Sequence, residues 1–318
     1  MMDMNHPIVT EPKIIGHERI VKFLENSAKN GRISHAYLFY GARNIGKRFV
    51  AEHFAAKLFG ENVPIHQITE HLYPDLFWID RLESKKNISI DQIRELKGKL
   101  YSGSFNNSYK VAIINEAENL NQAAANSFLK ILEEPPQKSV IILLVNDLKN
   151  IPATIVSRSQ LIRFNQAKRK DIENYLVGDL KIKKEQAIQI ASISFGRPGI
   201  AVKLANDKLF LKKYEENADI FLEILSGGLV ERLNFVATLD LNDAPFPVWK
   251  SITRDIIMAS LDLPVVNQLH GQKIKSLVEK FSSTQLVSFL EELRQAQIYL
   301  NYSANKRIVL DNLFVSLG

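Results

Sequence analysis

The sequence predicts an α/β domain with a five-stranded parallel sheet and helices on both of its faces, followed by a region that is helical throughout. Up to about residue 165, five short apolar runs alternate with helical patterns, which is typical of a parallel sheet with helical crossovers. The run at residues 140–145 is apolar at every position, as expected of a strand that is covered on both faces. Beyond Phe164, only helical periodicity is found.

The individual elements follow from the spacing of apolar residues and from the residues that stop helices. The predicted strands cover residues 36–40, 75–79, 110–115, 140–145 and 160–164. The helices among them cover residues 49–59, 91–100 and 122–134. The first of these ends at Gly60, and the last ends before Pro135 because proline lacks an amide hydrogen. The later helices are predicted over residues 168–176, 184–194, 200–204, 209–225, 230–239, 248–261, 274–281, 284–300 and 306–317.

Short breaks that contain glycine or proline divide the helical half of the chain. Two of them lie at residues 195–199 and 226–228. Together with the change of pattern after Phe164 and the usual size of domains, they predict three domains. These are an α/β domain over residues 1–165, a small helical domain over 166–207 and a larger all-α domain over 208–318.

Composition excludes several classes of protein. Apolar residues make up 46% of the 318 residues and no apolar run is as long as a membrane span, so we expect no membrane partner. The lack of cysteine excludes disulfides, thiol catalysis and cysteine–zinc sites, and fits a cytoplasmic protein. His66 and His71 therefore have no cysteine partner, and no metal is expected. The net charge of +6 is compatible with DNA binding, although solvated helix faces account for most basic residues, including the cluster at 168–170.

Residues 41–48 resemble a phosphate-binding loop whose last residue is altered. They read GARNIGKR, and the motif G-x-x-x-x-G-K-[ST] requires the positions of Gly41, Gly46 and Lys47. The glycines let backbone N–H groups wrap a phosphate chain, and the lysine reaches the outer phosphates. The final hydroxyl of the motif holds Mg²⁺, but Arg48 stands there and cannot ligate a metal. The sequence therefore predicts a nucleotide loop with a disabled metal site.

A second nucleotide motif follows the third predicted strand. Apolar residues lead there to Asn115 and Glu116, at the carboxyl edge of the sheet, where ligands of such sheets bind. An active ATPase would carry an aspartate for Mg²⁺ in the place of Asn115, and a neutral amide is a poor substitute. The loss of both the hydroxyl and the carboxylate indicates that the ion is not used. Glu116 is either a remnant of the catalytic base or a surface carboxylate, and the sequence leaves both open.

Three further residues have two interpretations each. Arg48 either still binds an anion at its helix N-terminus or turns to solvent or to an acidic side chain. Asn146, directly after the fourth predicted strand, either senses a γ-phosphate or forms a turn with Asp147. Arg158, just before the last strand, either projects into the nucleotide site of a neighbouring subunit or forms a surface salt bridge. Residue chemistry alone favours the salt bridge.

Several stretches together resemble one family. They are residues 35–39, the loop at 41–47, residues 73–79, 90–96 and 126–136, the pair Ser157-Arg158, and residues 303–313. These segments are similar to the bacterial DNA polymerase III clamp loader, most closely to its delta prime subunit family. The resemblance covers nearly the whole chain, and the motifs are specific in combination.

The resemblance implies an AAA+ fold in which residues 1–165 form the nucleotide-binding domain, 166–207 a helical lid and 208–318 a collar that assembles a ring. It implies a subunit that hydrolyses no ATP itself and lends Arg158 to an adjacent ATPase subunit. The implied partners are the gamma/tau ATPase and delta subunits, the sliding clamp and, through the complex, primer-template DNA. No cofactor is required, although ATP or an anion in the degenerate loop stays open.

The chain departs from the family pattern at three places. Ser159 stands for the cysteine of the Ser-Arg-Cys motif, and the four-cysteine zinc module is absent. Gly199 stands where the ATPase members carry a nucleotide-sensing arginine. An ATP-hydrolysing motor subunit of the same loader is the alternative, and Arg48 and Asn115 both argue against it. A free-standing DNA-binding protein is supported by net charge only.

Overall fold

The structure, a computed structural model, describes residues 13–60, 63–105, 108–238, 245–301 and 305–317. The chain divides into two compact units. The first comprises the described residues up to Ile172 together with Gly196–Ile200, and the second comprises Glu173–Phe195 and the residues from Ala201 onward. The division into three domains at residues 165 and 207 stays a prediction.

A five-stranded parallel sheet forms the centre of the first unit, as predicted. Its strands are β1 (Ala36–Tyr40), β2 (Leu76–Ile79), β3 (Lys110–Ile114), β4 (Ser139–Val145) and β5 (Gln160–Arg163). They are ordered β2-β3-β4-β1-β5, and every pair is parallel. Each strand lies within one residue of its predicted bounds. Parallel neighbours bring the carboxyl ends of all five strands to one edge of the sheet.

Helices cover both faces of this sheet. In chain order they are α1 (Glu18–Lys29), α2 (Lys47–Phe59), α3 (Ile65–Thr69), α4 (Ile90–Tyr101), α5 (Gln122–Glu133) and α6 (Ala153–Val156), with 3-10 turns at Ala117–Asn119 and Leu148–Asn150. Along β1, Tyr37 and Phe39 share a core with α1 and α2, whereas Leu38 packs into a separate core with α4 and α5. Successive strand residues point to opposite faces, so this split is what two helical layers require.

A buried lysine joins two of these elements. Lys110, the first residue of β3, is 4% exposed. Its ammonium donates to the carbonyl oxygens of Lys99 at 2.7 Å and Leu100 at 3.3 Å, and to both oxygens of Ser102. These acceptors lie at the C-terminal end of α4, whose last carbonyls have no partner within the helix. Lys110 therefore caps α4 from the sheet.

The helices that follow are α7 (Arg169–Gly178), α8 (Lys184–Ile193), α9 (Pro198–Asn206), α10 (Lys208–Ser226), α11 (Leu229–Thr238), α12 (Phe246–Ser260), α13 (Gly271–Val278), α14 (Ser283–Asn301) and α15 (Lys306–Val315). Residue 239, the predicted end of α11, lies outside the described residues. The core of the second unit is rich in aromatic rings, and Phe221 contacts Trp249, Phe289 and Phe314 there. The predicted helical region is confirmed in the parts of the chain that the structure describes. Across those parts, no helix is long and apolar enough to cross a membrane.

Candidate functional site

The predicted site residues fall into two groups on opposite edges of the sheet. The loop at residues 41–47 follows β1, Asn115 and Glu116 follow β3, and Asn146 follows β4. They meet at the carboxyl edge, the expected position for a ligand site. Arg158 instead lies in the turn between α6 and β5, at the amino edge. The fold thus joins the loop with the two strand ends, and keeps Arg158 apart from them.

Two glycines give the loop its shape. Gly46 has a φ of +109° and Gly41 a φ of +150°, which are conformations that side chains rarely adopt. The amide of Gly41 donates to the carbonyl of Val145, and a Cβ at this position would collide with the carbonyl of Phe164. The helix α2 then begins at Lys47. The spacing of the motif is therefore expressed in the backbone, as the sequence predicts.

Lys47 is turned into its own loop. Lys47 is only 8% exposed. Its ammonium donates to the carbonyl of Gly41 and, at 3.0 Å, to that of Ala42. A third bond of 3.1 Å runs to Oδ1 of Asn146. Burial lowers the pKa of Lys47 to about 8, while the nearby Glu118 carboxylate opposes this shift. All three hydrogens of the ammonium thus have acceptors within the chain.

Glu118 is a member of this network that the sequence predictions did not assign. Its Oε1 accepts hydrogen bonds from the amide of Asn146 at 3.2 Å and from its side-chain nitrogen at 2.6 Å. Its Oε2 is buried, with no hydrogen-bond partner among the described residues. Asn146 therefore links a carboxylate to the ammonium of Lys47. The signal that could have identified Glu118 is its position two residues beyond Glu116, at the same edge of the sheet.

Asn115 and Glu116 are also engaged with other side chains. The side-chain amide of Asn115 donates to Oδ1 of Asp80 at 2.8 Å, and Asp80 is the residue that follows β2. Glu116 forms an ion pair with Arg43 of the loop and accepts a 3.1 Å hydrogen bond from Asn119. Asp80 was not assigned by the sequence predictions either, although it too follows a strand at the carboxyl edge.

Arg48 is paired with an acidic side chain, which was one of its predicted alternatives. Its Nε donates to Oε1 of Glu52 at 2.7 Å, one turn further along α2. Its guanidinium lies 4.7 Å from the ring centroid of Trp78, and Nη2 is 3.2 Å from Nε2 of His71. Glu52 is 2% exposed, and burial raises its pKa while Arg48 opposes that shift. The arginine therefore balances a buried carboxylate.

Two further donors hold the carbonyl groups of the loop. Nε2 of the buried His17 donates to the carbonyl of Ile45 at 2.7 Å, and burial lowers the pKa of this histidine. The amide of Gly199 donates to the carbonyl of Asn44 at 2.9 Å. A Cβ at Gly199 would lie 3.0 Å from that same oxygen. A side chain at this position would therefore have to displace the loop slightly.

Arg158 has a more open environment. Its Nη2 lies 3.0 Å from Oε1 of Glu133, and its Nη1 donates to the carbonyl of Thr154 at 3.2 Å. The side chain is 39% exposed and that of Glu133 is 51% exposed. A surface ion pair is thus present, as one of the two interpretations predicts. No feature of the described residues tests the other interpretation, in which Arg158 acts on a neighbouring subunit.

A metal site is not evident in the part of the chain that the structure describes. No group of three or more histidine, cysteine, aspartate or glutamate side chains there is arranged to hold an ion. Near the loop, the carboxylates of Asp80, Glu116 and Glu52 each already accept hydrogen bonds or pair with a cation.

Comparison with known proteins relates the first unit to replication proteins. Residues 16–168 match the family model described as "DNA polymerase III, delta subunit". The chain is 35% identical over 163 residues to DNA polymerase III subunit tau of Bacillus subtilis, covering 48% of this chain and 28% of that protein. It is 32% identical over 228 residues to subunit gamma of Buchnera aphidicola, covering 67% and 62%. It is 36% identical over 135 residues to subunit delta' of Pseudomonas aeruginosa, covering 39% and 41%.

The extent of these matches limits what they establish. The chain spans between 28% and 62% of the lengths of the three relatives. Among solved structures, a gamma subunit-related protein of Thermotoga maritima aligns over 92% of this chain and 97% of that chain, at 22% identity and a TM-score of 0.47. The fold is therefore taken from the strand pairing given above, and the sequence matches give the proteins that the chain is similar to. Those matches have similar identity to tau, gamma and delta' subunits, so they do not separate the subunit types.

Proposed function

We propose that this chain, which is similar to gamma, tau and delta prime subunits of DNA polymerase III, is a clamp loader subunit of the delta prime type. In this role the subunit hydrolyses no ATP itself. It supports the ATP-dependent loading of the sliding clamp onto primed DNA, and Arg158 acts on the nucleotide of a neighbouring ATPase subunit.

The observation that carries this proposal is the state of Arg48. A working loop needs a hydroxyl at this position to hold Mg²⁺. Here the position offers a cation, and that cation is paired with the buried Glu52 and stacked on Trp78. A residue that balances a buried carboxylate cannot be exchanged for a metal ligand without loss of stability. The arginine is therefore part of the packing of this subunit.

Asn115 supports the same conclusion at the second metal position. Its amide nitrogen donates to Asp80, and this bond orients the side chain toward another strand end. Magnesium is usually bound through carboxylate oxygens, and the amide supplies no charge. Glu116, the residue in the place of the catalytic base, is paired with Arg43. With the hydrogen bond from Asn119, this pair engages both oxygens of the carboxylate that would have to act as the base.

Arg158 provides a function that does not depend on this loop. The guanidinium is planar, always charged and able to grip two phosphate oxygens. In phosphoryl transfer, an arginine supplied by a neighbouring subunit neutralises charge in the transition state and is worth about 10³-fold or more in rate. Arg158 is partly exposed, at the opposite edge from the loop of its own subunit. Such a position is open to a second subunit.

The second candidate function is an ATP-hydrolysing motor subunit of the same loader. It is favoured by the matches to gamma and tau subunits, which are as strong as the match to delta'. It is also favoured by Asp80, whose carboxylate lies beside Asn115. However, both oxygens of Asp80 accept hydrogen bonds, one from Asn115 and the other from the ring nitrogen of Trp78. The delta prime role is therefore the better supported of the two.

The remaining parts of the proposal concern partners and place. The partners are the gamma/tau ATPase and delta subunits, the sliding clamp, and primer-template DNA through the assembled complex. The location is the cytoplasm, where chromosome replication takes place in bacteria. No cofactor is needed for this role. These points rest on the family and on the role proposed for Arg158.

The test compares two cation variants in the assembled loader. Arg158→Ala should lower the ATP turnover at the adjacent site by about 10³-fold, because it removes the transition-state charge. Lys47→Ala should leave turnover nearly unchanged. Arg94→Ala is the matched control, since it also removes an arginine of an exposed ion pair, in this case with Asp91. Steady-state ATP hydrolysis in the presence of clamp and primed DNA is the measurement.

The opposite pattern would overturn the proposal. If Lys47→Ala abolished turnover while Arg158→Ala had no effect, the chain would be a motor subunit. The isolated chain offers an independent check, because a delta prime subunit should show no Mg²⁺-dependent ATP hydrolysis. Hydrolysis that Lys47→Ala removes from the isolated chain would count against the proposed role in the same way.

A further inference from the structure

Glu133 occupies a position that is unfavourable for a carboxylate. It is the last residue of α5, and the C-terminal end of a helix carries partial negative charge. The helix cannot continue, because Glu134 is followed by Pro135 and Pro136. A local conflict of this kind is expected where a residue serves something other than the helix that contains it. The partner that balances Glu133 is Arg158, whose Nη2 is 3.0 Å from Oε1.

The two contacts of Arg158 together define the orientation of its guanidinium. Nη2 lies in an ion pair with Glu133, and Nη1 donates a hydrogen bond to the carbonyl of Thr154. Because the group is planar, a contact at each terminal nitrogen limits the orientation of its plane. The bond to Thr154 uses one hydrogen of Nη1. The Nε–H group and the remaining hydrogens of the terminal nitrogens are the donors that this geometry leaves for a ligand.

We propose that Glu133 is a positioning residue for Arg158. It holds the guanidinium in the orientation that presents its remaining donors to a phosphate group of the neighbouring subunit. The inference rests on the function proposed above, since it requires Arg158 to act in trans. An arginine that is ordered before contact loses less conformational freedom when it meets the phosphate. The carboxylate touches no reacting atom and acts only through the arginine.

Glu133 could either raise or lower ATP turnover through Arg158, and the two effects can be told apart. The carboxylate of Glu133 also neutralises part of the charge of Arg158, so the two residues could oppose catalysis by staying together. The side chains of Arg158 and Glu133 are both exposed to solvent, and exposed ion pairs are weak. The guanidinium keeps N–H donors beyond its contacts with Glu133 and Thr154, so a phosphate can bind it without breaking the pair. We therefore expect the orienting effect to exceed the neutralising effect.

The experiment is a double-mutant cycle in the assembled loader. Glu133→Ala should lower ATP turnover about fivefold, which equals ~1 kcal/mol, the upper end for an exposed ion pair. In the Arg158→Ala background, Glu133→Ala should have no further effect, because there is no arginine left to position. Glu134→Ala is the matched control. It removes the same charge from the next residue. The hydrogen bond from the Tyr101 hydroxyl is kept, because its acceptor is the backbone carbonyl of Glu134.

Each other outcome contradicts the inference in a distinguishable way. If Arg158→Ala lowers turnover and Glu133→Ala leaves it unchanged or raises it, positioning is wrong and the proposed function stands. If Glu133→Ala lowers turnover equally in both backgrounds, its role is structural only, and urea unfolding of the isolated variants would show the matching loss of stability. If Arg158→Ala itself has no effect, both the inference and the proposed function fail.

Discussion

Phosphate chemistry is predicted for Lys47 from the loop motif and for Arg158 from the family resemblance, and the fold holds these two cations differently. Lys47 is 8% exposed and donates to Gly41, Ala42 and Asn146, which uses every hydrogen of its ammonium. Arg158 is 39% exposed and keeps N–H donors beyond its ion pair with Glu133 and its hydrogen bond to Thr154. A cation that acts on a partner must keep donors available, whereas one that is bound within its own loop uses them.

The surroundings of the two cations differ in the same sense. Around Lys47, the loop carbonyls are bound by His17 and Gly199, and Glu118 supplies a counter-charge through Asn146. Changes at the loop edge should therefore be measured mainly as changes in stability. Changes at the Arg158 turn should be measured mainly as changes in the activity of an assembled complex. The variants of Arg158 and Glu133 described above test the effects on activity. Three variants near the loop test the effects on stability.

The largest stability effect is expected from the buried charge of Lys47. Its pKa falls from 10.5 to about 8 on folding, a shift worth ~3 kcal/mol. Below pH 8 the lysine is charged in both states and its burial opposes folding. Between pH 8 and 10.5 only the unfolded chain keeps the proton, so stability rises with pH. Relative to wild type, Lys47→Met should lack this rise, as measured by urea unfolding at several pH values.

Lys57→Met is the matched control for this measurement. Lys57 lies on the same helix and is exposed, so its variant reports the effect of removing a surface lysine. A constant difference in unfolding free energy between wild type and Lys47→Met at every pH would contradict the burial of the Lys47 charge, and with it the contrast with Arg158. In that case the ammonium would be hydrated and available to a ligand.

The next effect concerns the pair of Arg48 and Glu52. Arg48→Thr should lower the free energy of unfolding by ~2 kcal/mol at pH 7, because it leaves the carboxylate of Glu52 buried without its cation. The loss is smaller than for a fully buried pair, since Arg48 is about half exposed. Burial raises the pKa of Glu52, so the loss should be present at neutral pH and shrink as the carboxyl becomes protonated in acid.

Glu52→Gln provides the background that isolates this pair. In that background Arg48→Thr should cost clearly less, because no charge is left to balance. Threonine also restores the hydroxyl of the loop motif. We expect no Mg²⁺-dependent ATP hydrolysis from the single variant, since Asn115 still supplies no carboxylate. Hydrolysis by Arg48→Thr alone would show that the loop is one substitution away from an active site.

The smallest effect is expected at Asn115. Asn115→Asp replaces the donor to Asp80 with a second carboxylate at about 3 Å and should destabilise the chain by ~1 kcal/mol. A divalent cation between two carboxylates would relieve this repulsion, so millimolar Mg²⁺ should raise the melting temperature of the variant and not that of wild type. Thermal unfolding with and without Mg²⁺ is the measurement.

Asn121→Asp serves as the control for Asn115→Asp. Asn121 caps the N-terminus of α5, where aspartate is as suitable as asparagine. This variant adds the same charge and should not respond to Mg²⁺. Equal stabilisation of wild type and Asn115→Asp by Mg²⁺ would mean that the present residues already bind the ion, which would favour the motor subunit.

The sequence predicted the sheet more completely than the helices around it. The strands could be predicted because a parallel sheet buries both of its faces, which makes runs such as residues 140–145 apolar throughout. The predictions lack α1, α3 and α6. The last two have five and four residues, too few for a helical period to be visible. The signal for α1 was present, since Ile20, Val21 and Leu24 lie at helical spacing.

At the site, sequence reasoning found the motif residues and not their partners. Gly41, Gly46, Lys47, Asn115 and Asn146 are brought to one edge as their positions after strands predict. Glu118, Asp80 and Glu52 were not assigned, because their contacts join residues that are far apart in the chain or have no motif. The predictions left the direction of Arg48 open, although Glu52 lies four residues further along the same helix, a spacing at which such pairs form.

By itself, the sequence determined that this protein has a parallel α/β domain with a loop of phosphate-binding shape whose metal ligands are altered. Those features follow from local periodicity and from which side chains can coordinate magnesium. The pairing of Arg48 with Glu52 follows the i,i+4 spacing of one helix, whereas only the tertiary structure decided the other two: Lys47 to its own loop, and Arg158 to Glu133 at the opposite edge. A charged side chain takes the partner that packing brings within about 3 Å, and sequence spacing does not specify that distance.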